Sequence, residues 1–282
     1  MDTGKAIFLG LAMTRLTLIL PVLLLTLLVW NPAYSADFQK GVDAYDREDY
    51  ATALSEFKPL AEQGIAYAQF YLGVLHEKGL GGPANHTAAI EWYTRAVEYG
   101  DSFAQNNLGL LYKKGLGVGK NFKFALKLFS LSADQGHAPA QLNLGVMYDE
   151  GLGVPQNDKT AVKWYRLAAE QGFALAQNNL GAMYDEGLGV PQNDKTAVKW
   201  YRLAAEQGYA KSQFNLGAMY QKGRGVIQDY VRAHMWWNIA TLQGDKDARE
   251  KRDTLEKILT STQLETAQKL ARECFQKNYK GC

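Results

Sequence analysis

The sequence contains few of the residues from which metal and nucleophilic sites are built. Its 282 residues include two cysteines and four histidines. None of the histidines has a second metal ligand, or a residue that could act with it as a catalytic base, at a suitable spacing in the sequence. The four are His76, His86, His137 and His234. The G-x-S-x-G and Walker A motifs are both absent. We therefore predict a protein that is not an enzyme and has no catalytic residue, metal site or cofactor.

An excess of charge of one sign is also missing. Lysine and arginine number 31 against 29 aspartate and glutamate residues, so the formal net charge is +2. This balance argues against general electrostatic binding to nucleic acid or to an anionic membrane. Hydrophobic residues make up 47% of the chain and aromatic residues 12%, which excludes wholesale disorder. We expect a folded protein with no nucleic-acid partner.

Long apolar runs are limited to one segment, Leu16–Trp30, near the N-terminus. Basic residues precede this segment, and small residues surround a cleavage site after Ser35. The run is shorter than the roughly 20 residues that a membrane-spanning helix needs. The pattern predicts a signal peptide over residues 1–35, a periplasmic or secreted protein, and no membrane attachment after cleavage. The alternative is an uncleaved segment that anchors the protein in the inner membrane, and the initiator is either Met1 or Met13.

Both cysteines, Cys274 and Cys282, lie in the last nine residues. In an exported protein an even pair favours a disulfide, and the alternative is two free thiols in a frayed tail. The C-x7-C spacing does not indicate a zinc site, because zinc needs four ligands. We predict a bridge that clamps the tail locally and contributes at most about 2–3 kcal/mol, because its loop is short.

Glycine, in contrast, is abundant and recurs at a fixed period of 36 residues. One ladder comprises Gly64, Gly100, Gly136, Gly172, Gly208 and Gly244, and a second comprises Gly73, Gly109, Gly145, Gly181 and Gly217. A fixed period of this size is the signature of an array of stacked repeats. Such arrays present extended surfaces, so the period favours binding over catalysis.

Residues 173–208 show what one repeat contains. Its first helix is predicted to end at Gly187, because glycine readily adopts the left-handed conformation of a helix C-terminus. A loop with glycine and proline follows, and Asp194 is predicted to cap the second helix. The predicted buried stripes are Ala176, Leu180, Gly181 and Tyr184 in the first helix and Ala197, Trp200, Tyr201, Ala204 and Ala205 in the second. One helix pair cannot bury both stripes alone, so neighbouring repeats must stack.

The pattern A-x-A-Q-x-N-L-G-x-M-Y-x-x-G-x-G-V, followed by D-x-x-x-A-x-x-W-Y-x-x-A-A-E-Q-G, resembles the Sel-one-like repeat (SLR) of secreted bacterial proteins, a relative of the tetratricopeptide repeat (TPR). The resemblance implies an all-α, right-handed solenoid of antiparallel helix pairs. It covers five units, 65–100, 101–136, 137–172, 173–208 and 209–244.

The two ends of the chain depart from the repeat pattern. Residues 36–64 resemble a shorter TPR-like helix pair, in which Pro59 is expected to kink the second helix. Residues 245–282 are predicted to form a polar helical cap, with a capping box of Thr262 and Glu265.

The family resemblance implies a non-enzymatic scaffold for protein–protein interaction in the bacterial envelope or extracellular space. Such a scaffold would bind a protein or peptide through the concave face of the solenoid, and we expect a monomer. One alternative is a structural component of a cell-wall or exopolysaccharide assembly machine. A remote alternative is β-lactam hydrolysis, which is linked to cysteine-rich family members. Those members carry paired cysteines in every repeat, and this chain has none there.

A ladder of asparagines marks the predicted binding face. Each lies two residues before a first-helix glycine and off the buried stripe: Asn107, Asn143, Asn179 and Asn215. By resemblance to TPRs these asparagines contact a partner, and the alternative is that they brace neighbouring repeats. The same face is expected to carry Phe70, Asn106, Asn178 and Phe214, with exposed carboxylates at Asp149, Glu150, Asp185 and Glu186. We therefore expect a basic partner whose affinity falls as salt rises.

Overall fold

The computed structural model of the protein describes residues 32–282, and this range contains fourteen helices and no strand. The helices are α1 Pro32–Asp46, α2 Tyr50–Glu62, α3 Ala66–Lys78, α4 His86–Glu98, α5 Ser102–Lys114, α6 Phe122–Asp134, α7 Ala138–Asp149, α8 Asp158–Glu170, α9 Ala174–Glu186, α10 Asp194–Ala205, α11 Ala210–Lys222, α12 Tyr230–Leu242, α13 Lys246–Glu256 and α14 Ser261–Gln276. They form two compact units, one ending at Leu128 and the other running from Phe129 to Cys282. The predicted all-α repeat fold is confirmed.

The predicted signal peptide falls almost entirely on residues 1–31, which lie outside the described residues. The predicted cleavage site after Ser35 falls in the first turn of α1. Among the described residues, no helix has the length and apolar character needed to cross a membrane. Export and the choice of initiator stay predictions.

The first unit consists of helix pairs that pack in chain order, α1 with α2 and α3 with α4. A methyl group added to Gly41 in α1 would lie 2.6 Å from Cε1 of Phe57 in α2. A methyl group added to Gly73 in α3 would likewise lie too close to the ring of Tyr93 in α4. Glycine therefore allows one helix to rest directly on an aromatic ring of the other. The helix containing Pro59 continues to Glu62.

The second unit repeats this contact. The first helix of each repeat is called the A helix (α3, α5, α7, α9, α11) and the second the B helix (α4, α6, α8, α10, α12). The A-helix glycines Gly145, Gly181 and Gly217 face the buried rings of Tyr165, Tyr201 and Trp237 respectively. The aromatic side chains fill the space that the glycines leave, so the glycine ladder fixes how closely A and B helices approach.

The predicted stripes are largely confirmed. Ala176, Leu180 and Gly181 are buried in α9, but Tyr184 is only half-buried. In α10 the predicted Trp200 is also half-buried, and Val198, which the prediction omitted, is buried instead. The buried residues of α10 are Ala197, Val198, Tyr201, Ala204 and Ala205.

The helix ends agree with the glycine signals and correct one predicted cap. Gly187 has a φ of 75°, and its N–H donates to the carbonyl of Met183. The N-cap of α10 is Asn193, whose side chain accepts from the Thr196 N–H at 2.9 Å. The prediction of Asp194 was wrong by one residue, because Asp194 is already the first helical residue.

The C-terminal cap consists of α13 and α14, both packed against α12. The capping box of α14 is formed by Thr260 and Gln263, so the predicted box of Thr262 and Glu265 was wrong. Ala271 and Cys274 of α14 join the apolar cluster around the buried α12 residues.

The cysteine pair lies at bonding distance. The Sγ atoms of Cys274 and Cys282 are 2.09 Å apart, and the Cα atoms are 5.6 Å apart, within the usual disulfide range. The loop between them places the Tyr279 ring against Gly208 of the fourth repeat. The pair can therefore clamp the tail as predicted, and its oxidation after export stays a prediction.

A buried histidine lies where the cap meets the last repeat. His234 in α12 is almost fully buried, and its Nε2 lies 3.1 Å from Oε1 of Glu256 in α13. Burial lowers the pKa of His234, and the neighbouring Glu256 opposes that shift only in part. The imidazole is therefore expected to be neutral in the folded protein at pH 7.

We predict that this histidine makes the protein less stable in mild acid. Because its folded pKa lies below the unfolded value of about 6.5, its contribution is complete above pH 6.5 and is lost as pH falls. From pH 7.5 to 5.5, wild type should lose up to about 1.4 kcal/mol more than His234→Val in urea unfolding. Valine is the matched residue because Val162 and Val198 hold the same repeat position. Equal losses in both proteins would contradict the prediction.

Candidate partner-binding surfaces

In three repeats, a buried tyrosine hydroxyl donates to a carboxylate of the same repeat. The pairs are Tyr93 with Glu77 at 2.6 Å, Tyr165 with Asp149 at 2.9 Å and Tyr201 with Asp185 at 3.5 Å. Burial raises the pKa of these three tyrosines well above the usual range, and the carboxylates raise it further. The hydroxyls therefore stay protonated and act as donors.

The repeats that lack the acid also lack the tyrosine. Lys113 replaces the acid in the second repeat, where Phe129 replaces tyrosine, and Gln221 and Trp237 hold these positions in the fifth. An acidic residue therefore occurs at this position only in repeats whose tyrosine hydroxyl donates a hydrogen bond to it. Asp149 and Asp185, both predicted as exposed, are half-buried and contribute to the scaffold.

The asparagine ladder connects one repeat to the next. Asn107 Nδ2 donates to Tyr93 Oη at 3.1 Å, which joins α5 to α4 of the preceding repeat. In the second unit Asn179 hydrogen-bonds Tyr165 in the same way. The bonded tyrosine in turn donates to its acid, so each chain of hydrogen bonds links three successive helices. These contacts favour the bracing alternative.

Two asparagines of the predicted binding face are buried. Asn106 is 5% exposed and Asn178 is 7% exposed. Asn178 Oδ1 accepts from Ser212 Oγ at 2.9 Å and from Asn215 Nδ2 at 3.1 Å, both in the next repeat. Asn178 cannot reach a partner in this structure, because packing with the next repeat covers it, and Asn106 is buried as well.

We predict that replacing the central asparagines weakens the fold. Asn143→Ala combined with Asn179→Ala should lower the free energy of unfolding by about 0.5–1.5 kcal/mol, since Asn179 loses its inter-repeat hydrogen bond to Tyr165. Urea unfolding followed by circular dichroism measures the change. Unaltered stability together with weaker partner binding would instead favour the binding interpretation of the ladder.

Asp185 forms the most extensive ion pair of the second unit. Arg224 Nη2 lies 2.5 Å from Asp185 Oδ1 and also donates to the Asp185 carbonyl. The same guanidinium holds both carboxylate oxygens of Asp194, at 2.8 and 3.3 Å, and this hydrogen bonding lowers the Asp194 pKa. The predicted acidic surface therefore keeps only Glu150 and Glu186 as fully exposed carboxylates.

Buried glutamines join the repeats of the second unit, a feature that the sequence analysis missed. Gln177 Nε2 donates to the carbonyl of Ala169 in the preceding B helix, and Gln177 Oε1 accepts from Gln207 at 2.8 Å. The same arrangement recurs for Gln141 with Gln171 and for Gln213 with Gln243. The signal was available in the A-Q and E-Q-G of the repeat motif, which place the two glutamines at a constant spacing.

The first repeat lacks one member of this pair. Gln69 Nε2 donates to the Ala61 carbonyl at 3.0 Å, but its buried Oε1 has no hydrogen-bond partner among the described residues. Tyr99 stands where the later repeats carry the second glutamine. The first repeat therefore lacks a donor to Gln69 Oε1 because a single residue, Tyr99, differs from the glutamine of the later repeats.

We predict that Tyr99→Gln stabilises the protein by about 0.5–1.5 kcal/mol, because the new amide can donate to Gln69 Oε1. The reciprocal variant Gln207→Tyr removes the donor to Gln177 and should destabilise by about 1–3 kcal/mol, since a buried acceptor loses its partner. Urea midpoints measure both changes. A Tyr99→Gln protein no more stable than wild type would show that Gln69 gains nothing from the pair.

Four aromatic side chains, two exposed and two half-buried, lie on neighbouring helices of the first unit. Phe38 in α1, Tyr67 and Phe70 in α3, and Phe103 in α5 are here called the aromatic surface. Ring centroids are 6.4 Å apart for Phe38 and Tyr67 and 5.7 Å for Phe70 and Phe103. Tyr67 is 54% exposed and Phe103 47%. The sequence analysis identified Phe70 but missed Tyr67 and Phe103, which lie one helical turn earlier on the same face.

Within residues 32–282, no three or more histidine, cysteine or carboxylate side chains converge as metal ligands. The predicted partner residue Phe214 packs instead against Trp237, with centroids 6.4 Å apart, and Lys211 Nζ lies 5.5 Å from its ring.

The repeat geometry agrees with comparisons to known proteins. The Sel1 repeat pattern matches residues 66–101, 102–137, 138–173, 174–209 and 210–245. By structure, the chain is similar to a protective antigen of uropathogenic Escherichia coli that displays an SLR fold, with 38% identity and a TM-score of 0.83 over 87% of this chain. The chain spans 54%, about half, of the length of that antigen.

A Sel1 repeat protein from Oxalobacter formigenes is 32% identical, with a TM-score of 0.74 over 86% of this chain and 96% of its own. No curated protein matches the chain by sequence. Five consecutive family repeats cover well over half of the residues, and their boundaries fall one residue after those predicted. The chain therefore belongs to the Sel1 repeat family.

Proposed function

We propose that this protein is a non-enzymatic scaffold of the bacterial envelope or extracellular space that binds a protein partner on its A-helix face. Sel1 repeat domains generally mediate protein–protein interaction, and the fold is typical of that role. The predicted signal peptide supports export.

The observation that carries the proposal is the aromatic surface of the first unit. Large aromatic side chains are enriched at protein interfaces, and neighbouring exposed rings are rare on surfaces that stay in water. Tyr67 and Phe103 each leave about half of their surface exposed. Each exposed ring lies against a half-buried one, Tyr67 against Phe38 and Phe103 against Phe70, which provides an apolar contact area suited to a few large side chains of a partner.

We expect the two exposed rings of the aromatic surface to tolerate substitution, which makes the proposal testable. Tyr67 and Phe103 project from the A helices without belonging to the buried clusters of the first unit. A Tyr67→Ala/Phe103→Ala variant should therefore remain folded. Leu242→Ala is the matched control, because Leu242 is 67% exposed and lies in the second unit.

The experiment is affinity capture from envelope extract of the source cells with wild type, the double variant and the control. We expect a protein species that wild type and Leu242→Ala retain and the double variant loses. Equal retention by all three proteins would contradict the role of the aromatic surface. Retention of the protein by purified cell-wall or exopolysaccharide, without any protein species, would favour the assembly-machine alternative.

A further inference from the structure

A groove in the second unit runs between the B helix α10 and the loop that follows α11. The hollow on the α10 side has a volume of about 370 Å³, and its lining includes Lys195, Val198, Lys199, Arg202, Leu203 and Val226. A second cavity adjoins the first, and its lining includes Tyr220, Ile227 and Arg232. Because the two share Arg202 and Val226, they are treated together as the α10 groove.

The α10 groove carries an excess of positive charge. Four cationic side chains line it, namely Lys195, Lys199, Arg202 and Arg232, whereas the carboxylates lining it are Glu206 and Asp229. Asp194 lies beside Lys195 but is bound by Arg224. The lysines are exposed at one helical turn from each other, so both can reach carboxylates of a ligand.

The two arginines are held close together. Tyr220 Oη accepts from Arg202 Nη2 at 2.7 Å and from Arg232 Nη1 at 3.3 Å. The guanidinium of Arg232 also lies over the Tyr220 ring, 5.6 Å from its centroid. A planar guanidinium fixed by such contacts loses little freedom when it binds a carboxylate.

An apolar side chain stands at the rim of the groove without a packing role. Ile227 is 90% exposed. The other repeats carry proline or glycine at this loop position, as in Pro191 of the fourth repeat. The loop geometry does not require a large apolar residue here, and the exposed Leu203 lines the same groove. The two residues therefore indicate a contact surface.

The chain itself shows what covers this face of a B helix. At the repeat positions of Lys199 and Leu203, the next B helix α12 carries Met235 and Ile239, which are buried in a cluster with Ala271 of the C-terminal helix α14. The fifth repeat thus has its B-helix face covered by an amphipathic helix of the same chain. In the fourth repeat the equivalent residues, the cationic Lys199 and the apolar Leu203, are exposed.

We propose that the α10 groove binds an acidic amphipathic helix of a partner protein. One or two large apolar side chains of that helix would contact Leu203, Val226 and Ile227. Carboxylates flanking them would pair with Lys195 and Lys199 on one side and with Arg202 on the other, since Arg232 already forms an ion pair with Asp229. This surface lies in the second unit and goes beyond the aromatic surface of the proposed function.

The test uses the full chain and a fluorescein-labelled peptide helix of about four turns, with two leucines on one face and glutamates flanking them. Fluorescence anisotropy should give a dissociation constant that rises about tenfold for Lys195→Glu/Lys199→Glu. Ile227→Pro, which restores the loop residue of the third and fourth repeats, should raise it about threefold through lost apolar contact. Circular dichroism of each variant confirms that the fold is intact.

Matched controls distinguish the groove from general charge. Lys159→Glu/Lys163→Glu makes the same change in the identical helix α8, whose neighbouring loop carries Pro191 in place of Ile227. This control should change affinity by less than about twofold. Equal losses for both lysine pairs, wild-type affinity of Ile227→Pro, or equally tight binding of polyglutamate without leucine would each overturn the proposal. Selective loss in the α10 variants supports it whether or not the aromatic surface binds a partner.

Discussion

Gly181→Val should lower the free energy of unfolding by about 3 kcal/mol, because added methyl groups overpack a close helix contact. A Cβ at this position would lie 2.7 Å from Cδ1 and 2.8 Å from Cε1 of Tyr201. The ring cannot move aside, since it is buried and its hydroxyl is bonded to Asp185. Relief of the clash requires the A and B helices of the fourth repeat to separate.

Gly119→Ala is the control for this prediction. A Cβ at Gly119 meets no heavy atom within 4 Å, so its effect should stay within about 0.5 kcal/mol. Chemical unfolding of both variants measures the difference. Similar midpoints for the two proteins would show that the glycine ladder does not set the approach of the helices.

Arg224→Leu should lower the free energy of unfolding by about 2–3 kcal/mol, because hydrogen bonds to charged groups are worth about 1.5–3 kcal/mol and half-buried acids lose their partner. Leucine is the informative replacement, since Leu188 and Leu152 hold the same position in other repeats. The change therefore keeps the loop chemistry of the family while it removes the contacts to Asp185 and Asp194.

Two further variants separate the ion pair from the loop. Lys222→Leu removes an exposed charge of the same sign nearby and should change stability by less than about 0.5 kcal/mol. Asp185→Asn in the Arg224→Leu background should recover part of the loss, because the unpaired charge disappears. An Arg224→Leu protein as stable as wild type would contradict the prediction, because it would show that the contacts of Arg224 to Asp185 and Asp194 do not stabilise the fold more than leucine does.

The sequence predicted the repeat architecture because glycine ladders and apolar stripes are local patterns that a fixed period makes unambiguous. It predicted that Gly181 lies on a buried stripe of its helix, and the ring of Tyr201 is what packs against it. Helix starts were less certain. Asn193 and Asp194 both cap well in general, and packing decides which of two adjacent residues begins the helix.

The candidate site was less predictable because its contacts cross from one repeat to another. Asp185 lies on an outer position of its own helix, so it was expected to be exposed. Arg224, which covers it, comes from the following repeat at a loop position where other repeats carry leucine. Asn178 was likewise placed on the binding face, but Ser212 of the next repeat buries it. A single repeat contains no information about such neighbours.

The most direct test of the scaffold proposal is isothermal titration calorimetry of the captured partner against wild type, Tyr67→Ala/Phe103→Ala and Leu242→Ala. Truncation of two aromatic contact residues should weaken binding at least about tenfold, since interface aromatics often contribute more than about 1 kcal/mol each. Leu242→Ala should bind as wild type does. Wild-type affinity of the double variant, with its fold intact, would contradict partner binding through the aromatic surface.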